Sequence, residues 1–241
     1  MSGPTVTVLV AESLRFLLPV RHRHCEVVVS VDANGTVGHV VEALGVPRTE
    51  VGGLIVNGRP ADPSARLGDT DVVEVLAVSR PQPLAHPRFV LDVHLGSLAR
   101  QMRLLGLDVA YRNDADDDEL VEQAAAEQRV LLTQDRGLLR RRALVAGAYV
   151  KGSRADAQLA DVLDRFAPEL RPWSRCPACN GELAPVAKEE VEHLLQEGTR
   201  RTYSEFSRCR ACQRLFWRGA HARRLEAIVE AASGPSSPTS G

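Results

Sequence analysis

No stretch of this 241-residue chain approaches the run of about 18 apolar residues that a membrane span needs. The amino terminus also lacks a basic stretch followed by an apolar core, so no secretory leader is read there and a cytoplasmic location is expected. Net charge is missing too: 30 Lys and Arg against 31 Asp and Glu leave a formal −1, which excludes a global pull toward nucleic acid. Cysteine is scarce, and four of the five fall into two C-x-x-C pairs. In an unsecreted chain that pattern favours metal ligation over disulfides. What the chain does have is 44% apolar residues, enough at this length to fill the cores of two modest domains or one large one. The charge is unevenly spread. Residues 1–80 hold 7 basic against 9 acidic side chains, residues 81–170 hold 12 against 14, and residues 171–241 hold 11 against 8, so only the last third is basic.

The first 79 residues carry β-branched runs at 5–10 (TVTVLV) and 25–31 (CEVVVSV), then a short helix through VGHVVEALG that Thr36 can cap and Gly45 and Pro47 end. Cys25, in the second run, reads as a small buried hydrophobe. Two more strands follow at 53–56, closed by the turn NGR, and at 71–78. The order β-β-α-β-β, with LIVNGRPADPSARLGDTDVVEVLAV, resembles the ubiquitin-like β-grasp family, which includes the small sulfur carriers of molybdopterin and thiamine synthesis. Those carriers are activated at a free terminal Gly-Gly; here the last strand runs on into SRPQPLAHP, so carrier chemistry is not expected. A folded module used for contact or solubility is.

Three prolines in residues 80–87 make a linker. From Arg88 the pattern alternates: a strand RFVLD, a helix over 95–105, LDVAY, a helix over 117–128, RVLLT, a helix from about 136, GAYV, and a helix over 155–166. Strands separated by helices of ten to twelve residues predict a parallel α/β sheet over 88–170. After Pro172 comes a cysteine-bearing segment, 171–232, predicted as a ribbon and a terminal helix, and 233–241 reads as a disordered tail.

In a parallel sheet the residues just past each strand's carboxyl end share one edge. Asp92 ends the first strand of this region, Asp114 to Asp118 follow the second, and Asp135 follows the third. Carboxylates held close repel, so they persist as anions chiefly around a cation, and hard Mg²⁺ or Mn²⁺ suits oxygen donors. Each acid has a second reading. Asp117 or Asp118 can cap the helix ELVEQAAAEQ, Asp135 can cap the helix holding Arg136 to Arg142, and Asp92 can be structural.

The string RFVLDVHLGSLARQMRLLGLDVAYRNDADDDELVEQAAAEQRVLLTQDRGLLRRR, followed by paired cysteines and CRACQRLFWRGAH, resembles the PIN-domain-like ribonuclease family named for the C-terminal part of Mut-seven-type exonucleases. Bacterial members of that family can also carry a ubiquitin-like module in front, as this chain is expected to. The resemblance spans 88 to about 225 and rests most on LD-x-x-LG-x-LAR-x-x-RLLG and LLT-x-D-R-x-LL. It implies a PIN-like α/β/α domain, RNA cleavage, by analogy endonucleolytic, and an acidic metal site built here from Asp92, an acid of the Asp116 to Asp118 group such as Asp117 or Asp118, and Asp135. Asp156 is the nearest candidate for a fourth acid, although its place at a helix start fits capping.

Arg136, Arg140 and Lys151 follow strand ends where RNA phosphates can pass; Arg141 and Arg142 cannot face the same groove as both of the others if the segment is helical. A solvated helix face is the alternative for this run. Arg100 and Arg103 are as easily surface as substrate contacts. Cys176, Cys179, Cys209 and Cys212 form two knuckles suited to one closed tetrahedral zinc site, with KEEVEHLLQEGTRRTYSE as an insertion between them. A redox dithiol is the competing reading. Around the knuckles Arg171, Arg175, Arg200, Arg201, Arg208, Arg210, Arg214 and Arg218 mingle with Trp173, Tyr203, Phe206, Phe216 and Trp217, the ingredients of single-stranded RNA binding. Phe216 and Trp217 also read as packing the ribbon onto the α/β domain, and His193 and His221 as surface residues. The expectation is a metal-dependent ribonuclease with a zinc ribbon that helps hold RNA. The alternative is an inactive RNA- or tRNA-binding adaptor whose ubiquitin-like module recruits a protein partner.

Overall fold

The computed structural model describes residues 3–24, 26–32, 34–218 and Ala227. The readings of Cys25, His221, the terminal helix and the tail fall on residues outside that set.

The first strand, β1 (Thr5–Val10), alternates exposed or half-buried Thr5, Thr7 and Leu9 with buried Val6, Val8 and Val10, the period of a sheet with one face on a core. β2 (Val27–Ser30) pairs with it antiparallel. Helix α1 (Val37–Ala43) starts as read, with the Thr36 hydroxyl accepting the His39 N–H at 3.3 Å. Then come β3 (Val51–Val56), the two-residue β4 (Arg59–Pro60) after the NG turn, and β5 (Val72–Ala77). The strand order is β2-β1-β5-β3-β4, with β1 and β5 parallel at the centre. This is the β-grasp arrangement. Its core is almost wholly Val and Leu, with Val8, Val37, Val46 and Val73 fully buried. Neither helical nor strand period marks the β1–β2 connection, where two 3-10 turns, Glu12–Leu17 and Val20–His22, carry Leu14, Leu17 and Leu18 into that core. Burying a leucine is worth roughly 1.5–3 kcal/mol, so this loop is held as firmly as a strand.

From Arg88 the elements are β6 (Arg88–Leu91), α2 (Gly96–Leu104), β7 (Asp108–Tyr111), α3 (Asp117–Ala126), β8 (Val130–Thr133), α4 (Arg136–Leu139), β9 (Gly147–Tyr149) and α5 (Ala155–Phe166). β6 pairs parallel with β7 and β8 with β9, as alternating strands and helices require. β6 and β8 are buried at nearly every position, which suits strands of a parallel sheet. One expectation is corrected: the helix meant to hold Arg136 to Arg142 is a single turn. It ends at Leu139, with Leu138 and Leu139 buried and Arg140 to Arg142 exposed beyond it.

The remainder holds β10 (Leu183–Val186), α6 (Lys188–Val191), α7 (Glu197–Thr202), β11 (Phe206–Cys209) and β12 (Leu215–Trp217). β10, β11 and β12 form an antiparallel three-stranded sheet, and α6 and α7 occupy the insertion between the knuckles. None of the described helices is long and apolar enough to cross a membrane.

The chain divides into two compact units, Met1–Gln82 with Ala115–Lys151, and Pro83–Asp114 with Gly152–Gly241. In the first, the β-grasp segment and the later segment share hydrogen bonds. The Glu50 carboxylate, 4% exposed, accepts the Tyr149 N–H at 2.8 Å, and the Arg136 guanidinium donates to the Phe16 and Leu17 carbonyls at 2.8 and 3.4 Å. The Phe16 ring packs at 5.0 Å from that of Tyr149. In the second unit, α2 and α5 bury Leu98, Met102, Leu159 and Val162, and Phe89 meets Phe166 at 5.4 Å. Gly106 closes α2 at φ +85°, and a Cβ there would lie 1.9 Å from the Arg171 carbonyl oxygen, so only glycine lets the ribbon's first residues lie against the helix end.

Candidate functional site

The four cysteines converge. Cys176 and Cys212 sulfurs lie 3.7 Å apart, Cys179 and Cys209 sulfurs 3.5 Å, and all four fall within 4.8 Å of one another. A tetrahedral zinc with bonds of about 2.3 Å sets its sulfurs roughly 3.8 Å apart, so the spacing fits the ion. The two knuckles repeat one local design. The residue after each second cysteine takes a left-handed conformation, Asn180 at φ 68° and Gln213 at φ 60°, and its N–H bonds back to the first cysteine's carbonyl, at 2.9 and 3.0 Å. Gly181 completes the cradle: a Cβ there would press on the Cys209 sulfur at 3.0 Å and on Ala211 at 2.8 Å. Burial pushes the Cys176 thiol up to about 12. Burial pushes Cys209 up as well, but the N–H groups of Cys212 and Ala211 and the neighbouring thiols outweigh it and bring the group to about 7. The cluster is a set of soft donors partly poised as thiolate, suited to zinc.

The first knuckle rests on β7 and α2. Asn180 Oδ1 accepts the Val109 N–H at 3.0 Å, and its Nδ2 donates to Asp108 at 2.9 Å. Arg103, read as surface or substrate contact, is neither: it is 4% exposed, and it donates to the carbonyls of Val109, Ala178 and Pro177. Burial lowers its pKa, while Cys179, Cys176 and Asp108 act to raise it.

The acids are placed differently. Asp92 stands at the carboxyl end of β6, 7% exposed, where the chain enters a 3-10 turn; it makes no side-chain capping bond to that turn. Close by in the same unit, the Tyr111 hydroxyl donates to the carbonyl of Val93 at 2.8 Å. Asp116, rather than Asp117 or Asp118, caps α3, in a reciprocal capping box with Glu119. Asp117 and Asp118 sit in the first helical turn, both held by Arg141 at 3.4 and 2.8 Å. Asp135 follows β8 and accepts the Gly137 N–H at 2.6 Å and that of Leu138 at 3.4 Å, so it is the cap of α4. Asp156 lies in the first turn of α5, whose cap position is Arg154, and accepts from Gln101 at 2.8 Å. The donor set these acids offer is hard oxygen, the chemistry of Mg²⁺ or Mn²⁺.

The cations named for substrate are also engaged. Arg136 lies over the Phe16 ring at 5.9 Å besides its carbonyl bonds, and the Lys151 ammonium lies over the same ring at 5.2 Å. Arg140 is exposed. In the ribbon, Arg171, Arg175, Arg200, Arg201 and Arg218 pair with Glu169, Asp108, Glu192, Glu197 and Glu205 respectively. Trp217, 38% exposed, packs on ribbon residues Tyr203 and Phe206 at 6.4 Å. His193 is exposed, as read. Sequence reasoning missed Arg141 as the holder of Asp117 and Asp118, and Phe16 as the ring beneath two cations. The acidic run at 116–118 and the arginine run at 140–142 lie more than 20 residues apart, so nothing local marked Arg141, and nothing local marked Phe16.

Comparison with known families gives two matches. A model described as the Mut7-C RNAse domain matches residues 87–229, and one described as Mut7-C ubiquitin matches residues 3–83. No curated protein matches the chain.

Proposed function

Since the chain belongs to the Mut7-C RNAse domain family and carries that family's ubiquitin-like domain ahead of it, we propose that it is a metal-dependent ribonuclease hydrolysing RNA phosphodiester bonds. The observation that carries the reading is Asp92: a carboxylate 7% exposed at the end of a parallel strand, within the matched region. A carboxylate held this deep needs partners for its charge, and a hard cation is one that suits it. Asp92 and Asp135, with Asp117 or Asp118, are the residues we assign to the catalytic Mg²⁺ or Mn²⁺. Such an ion, when bound, activates water and offsets charge on the phosphodiester. Arg136, Arg140 and Lys151 are assigned to the phosphates of the bound strand. Arg208, Arg210 and Arg214 of the ribbon, with the exposed edge of Trp217, are assigned to RNA beyond the cut, and zinc to the ribbon's fold. Cleavage within the strand, rather than from an end, is part of the proposal.

A specific observation favours a second reading, that of an RNA-binding adaptor that does not cut. Asp117 and Asp118 already have Arg141, and Asp135 already has two N–H groups to cap. The experiment is incubation of the full chain with linear and circular RNA in Mn²⁺ or Mg²⁺, beside Asp92→Asn. The expected result is cleavage of both substrates, reduced on the order of 100-fold or more in the variant, the scale on which preorganised charged groups act. RNA retention without cleavage by the unaltered chain would favour the adaptor, and cleavage undiminished in Asp92→Asn would remove Asp92 from the site.

A further inference from the structure

We propose that Arg103 is the positioning residue of the zinc centre: it supplies the buried cation that a tetrathiolate site calls for and fastens the first knuckle to the outer edge of β7. The inference concerns how the metal is seated and stands whether or not the acids cut RNA.

Arg103 leaves α2 beside Leu98, Ala99 and Met102, all fully buried, so its guanidinium enters a place where an uncompensated charge is strongly disfavoured. Its hydrogen bonds go to neutral carbonyls: Nε to Val109 at 2.9 Å, Nη1 to Ala178 at 3.1 Å and to Pro177 at 3.4 Å. Carbonyls orient a guanidinium but do not cancel its charge. The Asp108 carboxylate on β7 is shared among Asn180, Arg88 and Arg175. Two of the carbonyls it binds belong to the stretch between Cys176 and Cys179, so its charge sits against the knuckle itself. Four thiolates around one divalent ion leave two negative charges over, and Arg103 is the buried cation placed to meet them. Pro177 and Ala178, whose carbonyls it grips, are the two residues between the cysteines of the first knuckle.

The same grip reaches the sheet. Among the described residues β7 is an edge strand, paired with β6 alone. Both main-chain groups of Val109 that face outward are taken, the N–H by Asn180 Oδ1 at 3.0 Å and the carbonyl by Arg103. The knuckle thus finishes a strand edge that would otherwise be open. Metal in the cluster fixes the knuckle, and the knuckle, through Arg103 and Asn180, protects Val109.

The test uses the full zinc-loaded chain, unaltered and as Arg103→Lys and Arg103→Met. Zinc affinity is read by competition with a chromogenic chelator, and amide exchange at Val109 is followed with and without metal. Removing an outer-shell partner typically weakens metal binding about 10–100-fold, and Arg103→Met is expected to do so, with Arg103→Lys recovering part of the affinity. A role in packing alone predicts the reverse ranking, because methionine fills the apolar slot better than lysine. In the unaltered protein, stripping the zinc is expected to speed exchange at Val109. Affinity in Arg103→Met equal to the unaltered chain, Met ranking above Lys, or Val109 equally protected without metal would each overturn the proposal. Should Arg103→Met not fold, the lysine variant and the exchange result in the unaltered chain decide it.

Discussion

Two regions of this chain carry metal-ligand residue types, and the side chains behave differently in each. The four thiols of the ribbon point at a common centre with spacings that fit zinc, and their backbone supports face inward as well. Four of the acids that follow the parallel strands have a local occupation: Asp116 and Asp135 cap helices, and Asp117 and Asp118 hold Arg141. The difference is chemical. A thiol has weak hydrogen-bonding options, so four in two C-x-x-C pairs have little use but a soft metal, whereas a carboxylate serves equally as cap, ion-pair partner or metal ligand. A cysteine pattern therefore carries more information than an acid pattern of the same size.

The largest expected effect is on the thiol side. Cys176→Ser should abolish stoichiometric zinc and the ordered amides of the ribbon, since structural zinc contributes on the order of 10 kcal/mol to such a fold. Elemental analysis and amide exchange check this; full zinc content in the variant would break the comparison. The same site should lose zinc as pH falls. The ligands bind as thiolates, and Cys176, pushed up to about 12, must shed a proton on binding throughout the neutral range, so protons compete harder with each unit of acidification.

The next test separates two duties of one acid. Asparagine caps a helix about as well as aspartate, so Asp135→Asn should leave stability within about 0.5 kcal/mol while removing the charge that a hard ion needs, whereas Asp135→Ala should also cost about 1 kcal/mol. Urea denaturation alongside RNA cleavage distinguishes them. If Asp135→Asn cuts RNA as the unaltered chain does, the carboxylate there is a cap and nothing more.

The smallest effect sharpens the acid side. Arg141→Gln frees two exposed or half-exposed carboxylates, so the stability loss should stay below about 1 kcal/mol. Mn²⁺ should bind more tightly to that variant if Asp117 and Asp118 serve the ion, which calorimetric titration can read.

How much was legible in the sequence follows from how local each signal is. Thr36 as a cap, α5 at 155–166, the parallel pairing and the zinc knuckles all rest on short-range spacing, and the structure has them. The family match bears out the ubiquitin-like and RNase resemblances. Arg103 was not legible, because a buried arginine and a surface arginine have the same letter and two of the carbonyls it binds lie more than 70 residues away. The 3-10 turns that bury Leu14, Leu17 and Leu18 have neither strand nor helix period. The early end of α4 was hidden because no glycine or proline marks it in the sequence.

The bonds from Glu50 to the Tyr149 amide and from Arg136 to the Phe16 and Leu17 carbonyls bear on where the chain can be cut. Scissors placed at the proline-rich joint would strip β9 of a carboxylate cap and leave the Tyr149 ring and a guanidinium without their companions. A shortened protein that clumps in the tube would then be reporting a torn seam and not a missing chemistry, and the two halves are best expressed, and compared, as one piece.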